Sequence, residues 1–247
     1  PRQVPLREVH LEALKIGRDG VRFGWGHRSL RLLMVAAAVQ SGFFFWAWYA
    51  WQPYFLELLE NDAIWVAGVV AALLAISMMI GNAIVEIVTR WCGRRTTLLL
   101  WSGGVFTTAM IGVGWVDAFV PALSLLFLAG VALGVQMPVR QALVHQVVPT
   151  EQRATVVSFD SMIAGVGGVV GQTSLGALAE RRGYSAGYIL GGLATAVSIP
   201  IIWLVRRHQA PEDYFEGSDP ARQGACAVDG LPAIGGVQGE LPTEVKA

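Results

Sequence analysis

One carboxylate, Asp160, stands among apolar residues about two turns beyond Arg153, and no other side chain in the sequence invites chemistry so directly. Drawing a charged carboxylate toward hydrocarbon costs up to about 2.5–3.5 kcal/mol at the centre and less near an end. Asp160 is therefore expected either to hold a partner or to sit capped at a water-accessible interface. Four amides keep similar company: Gln40, Asn82, Gln136 and Gln172. Such amides commonly bond a neighbouring helix, and they are also the groups that would orient a neutral solute. Gln40 and Gln172 lie nearest the middle of their apolar segments and are the preferred solute-facing pair, with Gln136 beside them. Glu86 and Arg90 stand at i, i+4 spacing, which allows either an ion pair on a helix or two solvated groups at its end. Hydrolytic chemistry has no equipment here. His10, His27, His145 and His208 all fall outside the apolar segments, so no Ser–His pair can form within them. Cys92 and Cys226 match neither a metal-ligand spacing nor a disulfide framework, and no Gly-rich phosphate loop with Lys and Ser/Thr occurs. The expectation is no enzyme, no metal and no cofactor.

The elements that must position these groups are six stretches free of Asp, Glu, Lys and Arg: Leu32–Leu56, Ala63–Val85, Thr96–Val116, Ala118–Val139, Ser161–Ala179 and Gly183–Val205. A helix of roughly 20 apolar residues crosses a ~30 Å hydrocarbon core, so each stretch reads as a transmembrane span. Hydrophobic residues make up 54% of the chain and charged ones 15%, too little polar surface to cover six apolar helices in water. Net charge is zero, and without a basic face a nucleic-acid partner is excluded. The fold class is an all-α membrane protein, a six-helix bundle whose first partner is the lipid bilayer.

Basic residues set the orientation. Lys15, Arg18, Arg22, Arg28, Arg31, Arg90, Arg94, Arg95, Arg140, Arg153, Arg206 and Arg207 flank one side of the spans, against Arg181 and Arg182 on the other. That bias predicts both termini in the cytoplasm. Trp51, Trp65, Trp91, Trp101, Trp115 and Trp203 fall near span ends, where an amphipathic ring suits the headgroup region. Residues 1–30 read as a cytoplasmic segment in which Val4 to Ile16 forms either an interfacial helix or a linker. Residues 31–207 are the membrane domain. Residues 208–247, rich in Gly, Pro and acidic groups from Ala210 on, are expected to be a disordered tail.

Small residues should mediate helix packing where no hydrophobic force drives helices together. Gly130 and Gly134, Gly167 and Gly171, and Gly187 and Gly191 each form a Gly-xxx-Gly pair, and Gly104, Thr108 and Gly112 mark span three. Static packing and sliding faces are both consistent with these pairs. Aromatic residues crowd span one from Phe43 to Phe55, and Trp48 and Tyr49 are the expected cavity liners. The six spans also divide into two triplets, each with a Gln–Pro feature (Gln52-Pro53; Gln136-Met137-Pro138) and a later Arg pair (Arg94-Arg95; Arg181-Arg182). Three spans being odd, the second triplet must lie inverted, a 3+3 arrangement found in secondary transporters.

The run from Val148-Pro149-Thr150-Glu151-Gln152-Arg153 to Ser158 resembles the cytoplasmic loop entering helix eleven of the major facilitator superfamily. Gly93-Arg94-Arg95 resembles the close of that family's motif between helices eight and nine, and Trp51-Gln52-Pro53-Tyr54-Phe55 and Leu175-Gly176 through Arg182-Gly183 are also similar to it. One departure stands out: where the motif carries an Asp three residues before its Gly, this chain has Arg90, and the nearest acid is Glu86. The resemblance covers about Arg28 to Arg207. It implies that the six spans correspond to helices seven to twelve, and that an N-terminal half is the missing partner. It further implies that Asp160, Glu86, Arg90, Arg94, Arg95 and Arg153 are gating or charge-relay candidates. The function implied is secondary active transport of a small molecule, with efflux of drug-like compounds favoured, proton coupling a family-level expectation and a bacterial inner membrane the expected location. A structural membrane subunit and the membrane domain of an ATP-driven exporter are the alternatives, the latter disfavoured by short loops.

Overall fold

The computed structural model describes residues 18, 21–60, 64–207, 213 and 215, the side chains of Ile64, Arg90 and Glu151 excluded. The candidate interfacial helix at Val4 to Ile16 and most of the tail lie outside the described residues. After helical residues 21–26 and a bend at His27, four long helices follow: α1 (Arg28–Leu59), α2 (Ile64–Trp91), α3 (Arg95–Trp115) and α4 (Phe119–Val147). A 3-10 turn (Thr150–Gln152) then leads into a helical stretch, Arg153–Ala196, interrupted at Gly183. There φ is 82° and ψ 166°, a conformation that glycine alone adopts without strain. We label the part before the break α5 (153–182) and the part after it α6 (184–196); past a turn at Val197 the chain continues as α7 (Ser198–Arg207).

The break at Gly183 reverses the chain, as the neighbours of α1 record. Gly167 and Gly171 of α5 approach Ala38 and Gly42 in ascending order, whereas Gly187, Gly191 and Ser198 meet Trp46, Phe43 and Gln40 in descending order. Six antiparallel crossings result, with α6 and α7 sharing the sixth. Gly183, expected as the first residue of span six, is instead the turn itself. The helices overrun several of the charge-free stretches because their last turns reach past the apolar region into water and headgroups, where Arg28, Arg153 and Arg207 find polar surroundings.

Adjacency carries the inverted symmetry. Helix α1 packs on α5 and on the α6–α7 rod, while α4 packs on α2 and α3, and α3 meets the α6–α7 rod. The first helix of each triplet thus lies on the second and third helices of the other. Gly42 of α1 faces Gly167 and Gly171 of α5; in the companion interface Gly130 and Gly134 of α4 face Ser77, Met78 and Gly81 of α2. At these contacts an added Cβ would overlap opposing atoms, most of them backbone, so both interfaces depend on direct backbone approach. Where the triplets meet, Thr107 of α3 hydrogen-bonds Thr195 of α6 at 3.0 Å, and these two residues are 88 positions apart, as are Gly42 and Gly130.

Rings fill the middle of the core. Phe43, Trp46, Tyr54, Phe55 and Tyr188 are almost wholly buried; Tyr188 lies 5.0 Å from Tyr54 and 5.2 Å from Trp46, ring centre to ring centre. Gly187 and Gly191 leave room for the rings of Trp46 and Phe43, so the α6 pair receives aromatic knobs rather than another backbone. At the arginine-rich end, the segment read as a disordered tail has two anchored residues. Buried Asp213 accepts the Thr96 N–H at 2.8 Å and the Thr96 hydroxyl at 2.6 Å, and Phe215 lies 5.1 Å beneath the Arg95 guanidinium. The reason is local: α3 begins with no side-chain cap from Arg94, and a carboxylate satisfies those open N–H groups.

Candidate functional site: a polar cleft with a buried ion pair

Asp160 has its partner within the chain. One guanidinium nitrogen of Arg140 donates to both carboxylate oxygens, at 2.7 and 3.0 Å, joining α4 to α5. Side-chain exposure is 21% for Arg140 and 11% for Asp160, so neither ion could stay charged there at low cost alone. Arg140 lies one helical turn beyond Gln136, at i+4, with Pro138 between them. Proline removes one helical hydrogen bond at this point, which frees α4 to bend beside the ion pair.

Gln136 begins a thread of side chains through the bundle. Its amide nitrogen donates to the Gln40 oxygen at 3.0 Å, the Gln40 nitrogen donates to the Ser198 hydroxyl at 3.0 Å, and Ser198 donates to the Thr195 carbonyl at 2.7 Å. Thr195 in turn meets Thr107. Four helical rods are tied by these bonds. Gln40 and Gln136 therefore hold helices together and border an open space at the same time.

That space is a cleft of about 210 Å³ with Gln40, Ser41, Gln136, Arg140, Asp160 and Ser161 on its walls. Phe44, Phe106 and Leu133 line it too, and the same three residues line an apolar chamber of about 50 Å³ that continues past Trp48 and Trp51 to Tyr188. Polar groups thus stand at one end and rings at the other. Trp48 is half exposed, its ring tilted against that of Phe44 at 5.8 Å between centres. Tyr49 is 65% exposed and borders neither the cleft nor the chamber among the described residues. Gln172 lies on an exposed face of α5, away from Gln40, and the two do not meet.

The remaining candidates sit at the arginine-rich end. Arg153 donates to the His145 carbonyl at 3.1 Å, which closes the last turn of α4 and does not reach Asp160. Arg95 is buried against Phe215, Arg94 is half-buried, and Glu86 is exposed, its carbonyl accepting the Thr89 hydroxyl at 2.8 Å. The Arg90 side chain lies outside the described residues. Sequence reasoning counted Arg140 only toward orientation and passed over Ser198, Thr195 and Thr107. The i, i+4 spacing of Gln136 and Arg140 was the available signal for the first. For the others there was none, since a hydroxyl in an apolar helix ordinarily bonds its own preceding turn.

Residues 33–227 match the Major Facilitator Superfamily. The chain is 28% identical over 209 residues to the multidrug efflux pump Tap of Mycolicibacterium fortuitum, covering 81% of this chain and 47% of that protein. It is 28% identical over 160 residues to the MFS siderochrome iron transporter 1 of Ajellomyces capsulatus, covering 59% of this chain and 26% of that one. It thus spans half or less of the curated relatives it matches. Among solved structures, the POT family transporter PepTSo superposes with a TM-score of 0.60 at 16% identity over 76% of this chain and 38% of its own. An auto-inhibited POT family peptide transporter gives 0.59 at 17% identity, over 73% and 37%. Six crossings, inverted triplets and a family match over most of the length agree: the chain belongs to the major facilitator superfamily.

Proposed function

We propose that this chain forms the C-terminal six-helix half of a secondary transporter that moves a small molecule by alternating access, most readily as an exporter. The observation that carries the reading is the cleft with the Arg140–Asp160 pair and the Gln40–Gln136 amides at one end and a ring-lined chamber at the other. Such a cavity suits an amphipathic molecule, whose polar group meets the amides and ions while its apolar body lies against Phe44, Trp48 and Phe106. The similarity to a multidrug efflux pump supports export over uptake. In this reading a second six-helix half closes the cleft, both termini face the cytoplasm of a bacterial cell, and the solute path forms only between halves. Asp160 holds the cleft in one state through Arg140, and parting of that pair accompanies the switch to the other.

The test is efflux of a fluorescent amphipathic dye, ethidium, from cells expressing the full-length transporter, this chain alone, or the full-length Asp160→Arg variant. Export by the full-length protein alone supports the reading. Export by the isolated chain, or unchanged export after charge reversal at Asp160, overturns it.

A further inference from the structure

On the side of the bundle away from the cleft, an open groove of about 840 Å³ runs between α3, α4 and α7. We propose that it is a binding site for an anionic phospholipid, with one acyl chain in the groove and the phosphate at Arg206. The two faces of α3 separate this groove from the solute cleft. Phe106 points into the cleft, whereas Gly104 and Thr108, each two residues away and so roughly 200° around the helix, line the groove.

The groove is shaped for a hydrocarbon chain. Gly104 has open space above it, with no atom within 4 Å of where a Cβ would stand. The Thr108 hydroxyl donates to the Gly104 carbonyl at 2.8 Å, so this floor presents no unsatisfied hydroxyl proton to an acyl chain. Trp101 and Trp203, 67% and 42% exposed, stand at the arginine-rich end, where indoles mark the headgroup level. Arg206 closes the groove there, and the neighbouring Arg207 guanidinium lies 3.7 Å over the Trp203 ring. An apolar channel ending in a guanidinium at the interface complements a lipid with a negative headgroup, and basic pockets between helices at that level hold such lipids.

The experiment reconstitutes the full-length transporter in phosphatidylcholine vesicles containing a minor, fixed fraction of either dibrominated phosphatidylglycerol or dibrominated phosphatidylcholine, and reads quenching of tryptophan fluorescence. Brominated phosphatidylglycerol should accumulate at the site about fivefold over the zwitterionic lipid, the factor one basic residue is worth at an anionic surface. Arg206→Gln should bring the two lipids to parity. Gly104→Leu, whose Cβ would enter open space and whose side chain would occupy the groove, should weaken quenching by both. Equal quenching by the two lipids in the unmodified protein, or a phosphatidylglycerol preference that survives both substitutions, overturns the proposal.

Discussion

Replacing Arg140 by Gln leaves the Asp160 carboxylate buried without its cation, and replacing Asp160 by Asn strands the guanidinium in the same way. A fully buried pair broken on one side loses about 3–5 kcal/mol, and an exposed pair about 0–1 kcal/mol. With side-chain exposures of 21% and 11%, this pair lies between those limits, so each single change should cost about 2 kcal/mol. For a chain of this size that lowers the thermal midpoint by roughly 4–8 °C. Changing both residues removes both charges together. The double variant should therefore lose no more than either single variant, giving a coupling energy of about 2 kcal/mol. The assay is thermal unfolding of the detergent-purified protein, followed by tryptophan fluorescence. If the double variant fell by the sum of the two single losses, the ions would not be acting on each other, and the cleft would lose its organising contact.

Further expectations concern the frame around the cleft. Gly134→Val would drive a side chain into the Met78 backbone, so it should cost at least about 1–3 kcal/mol, whereas Gly176→Ala, with open space around it, should be neutral or slightly stabilising. The same unfolding measurement separates them. Asp213→Ala should remove about 1 kcal/mol by uncapping α3, and hydrogen exchange should rise at Thr96 and the following turn while the core is unchanged. Thr107→Val breaks a hydrogen bond between α3 and α6 and should cost about 0.6 kcal/mol, within reach of chemical unfolding in mixed micelles.

Much of the fold was legible because lipid imposes a length. Uninterrupted apolar runs identified all six crossings, and the Arg bias at their ends separated one side from the other. The inverted repeat was read from the Gln–Pro features and the Arg pairs, whereas in the structure it is expressed by two glycine-lined interfaces, Gly42 with Gly167 and Gly171, and Gly130 with Ser77 beside Gly134 with Met78 and Gly81. Which glycine meets which could not be read along the chain, because the partners belong to helices joined by adjacency alone. The cleft was legible in half. Asp160 announced itself by charge in an apolar setting, and Gln40 and Gln136 by polarity. Arg140 looked like one more arginine at a span end; only the crossing of α4 and α5 brings it to Asp160. What Gln172 and Tyr49 face was not legible for a related reason: helical position fixes a residue's face, but packing decides what that face meets, and both lie on exposed faces of this half.

The proposed alternating access can be tested at one cleft residue. In the full-length transporter with every native cysteine, Cys92 and Cys226 among them, replaced by Ser, Ser161→Cys places a lone thiol on the cleft wall, and a membrane-impermeant maleimide is applied to either side of the membrane in turn. The account predicts labelling from both sides, with added ethidium shifting the balance between them. Labelling from one side alone, insensitive to ethidium, would make the bundle a fixed membrane subunit and contradict a carrier.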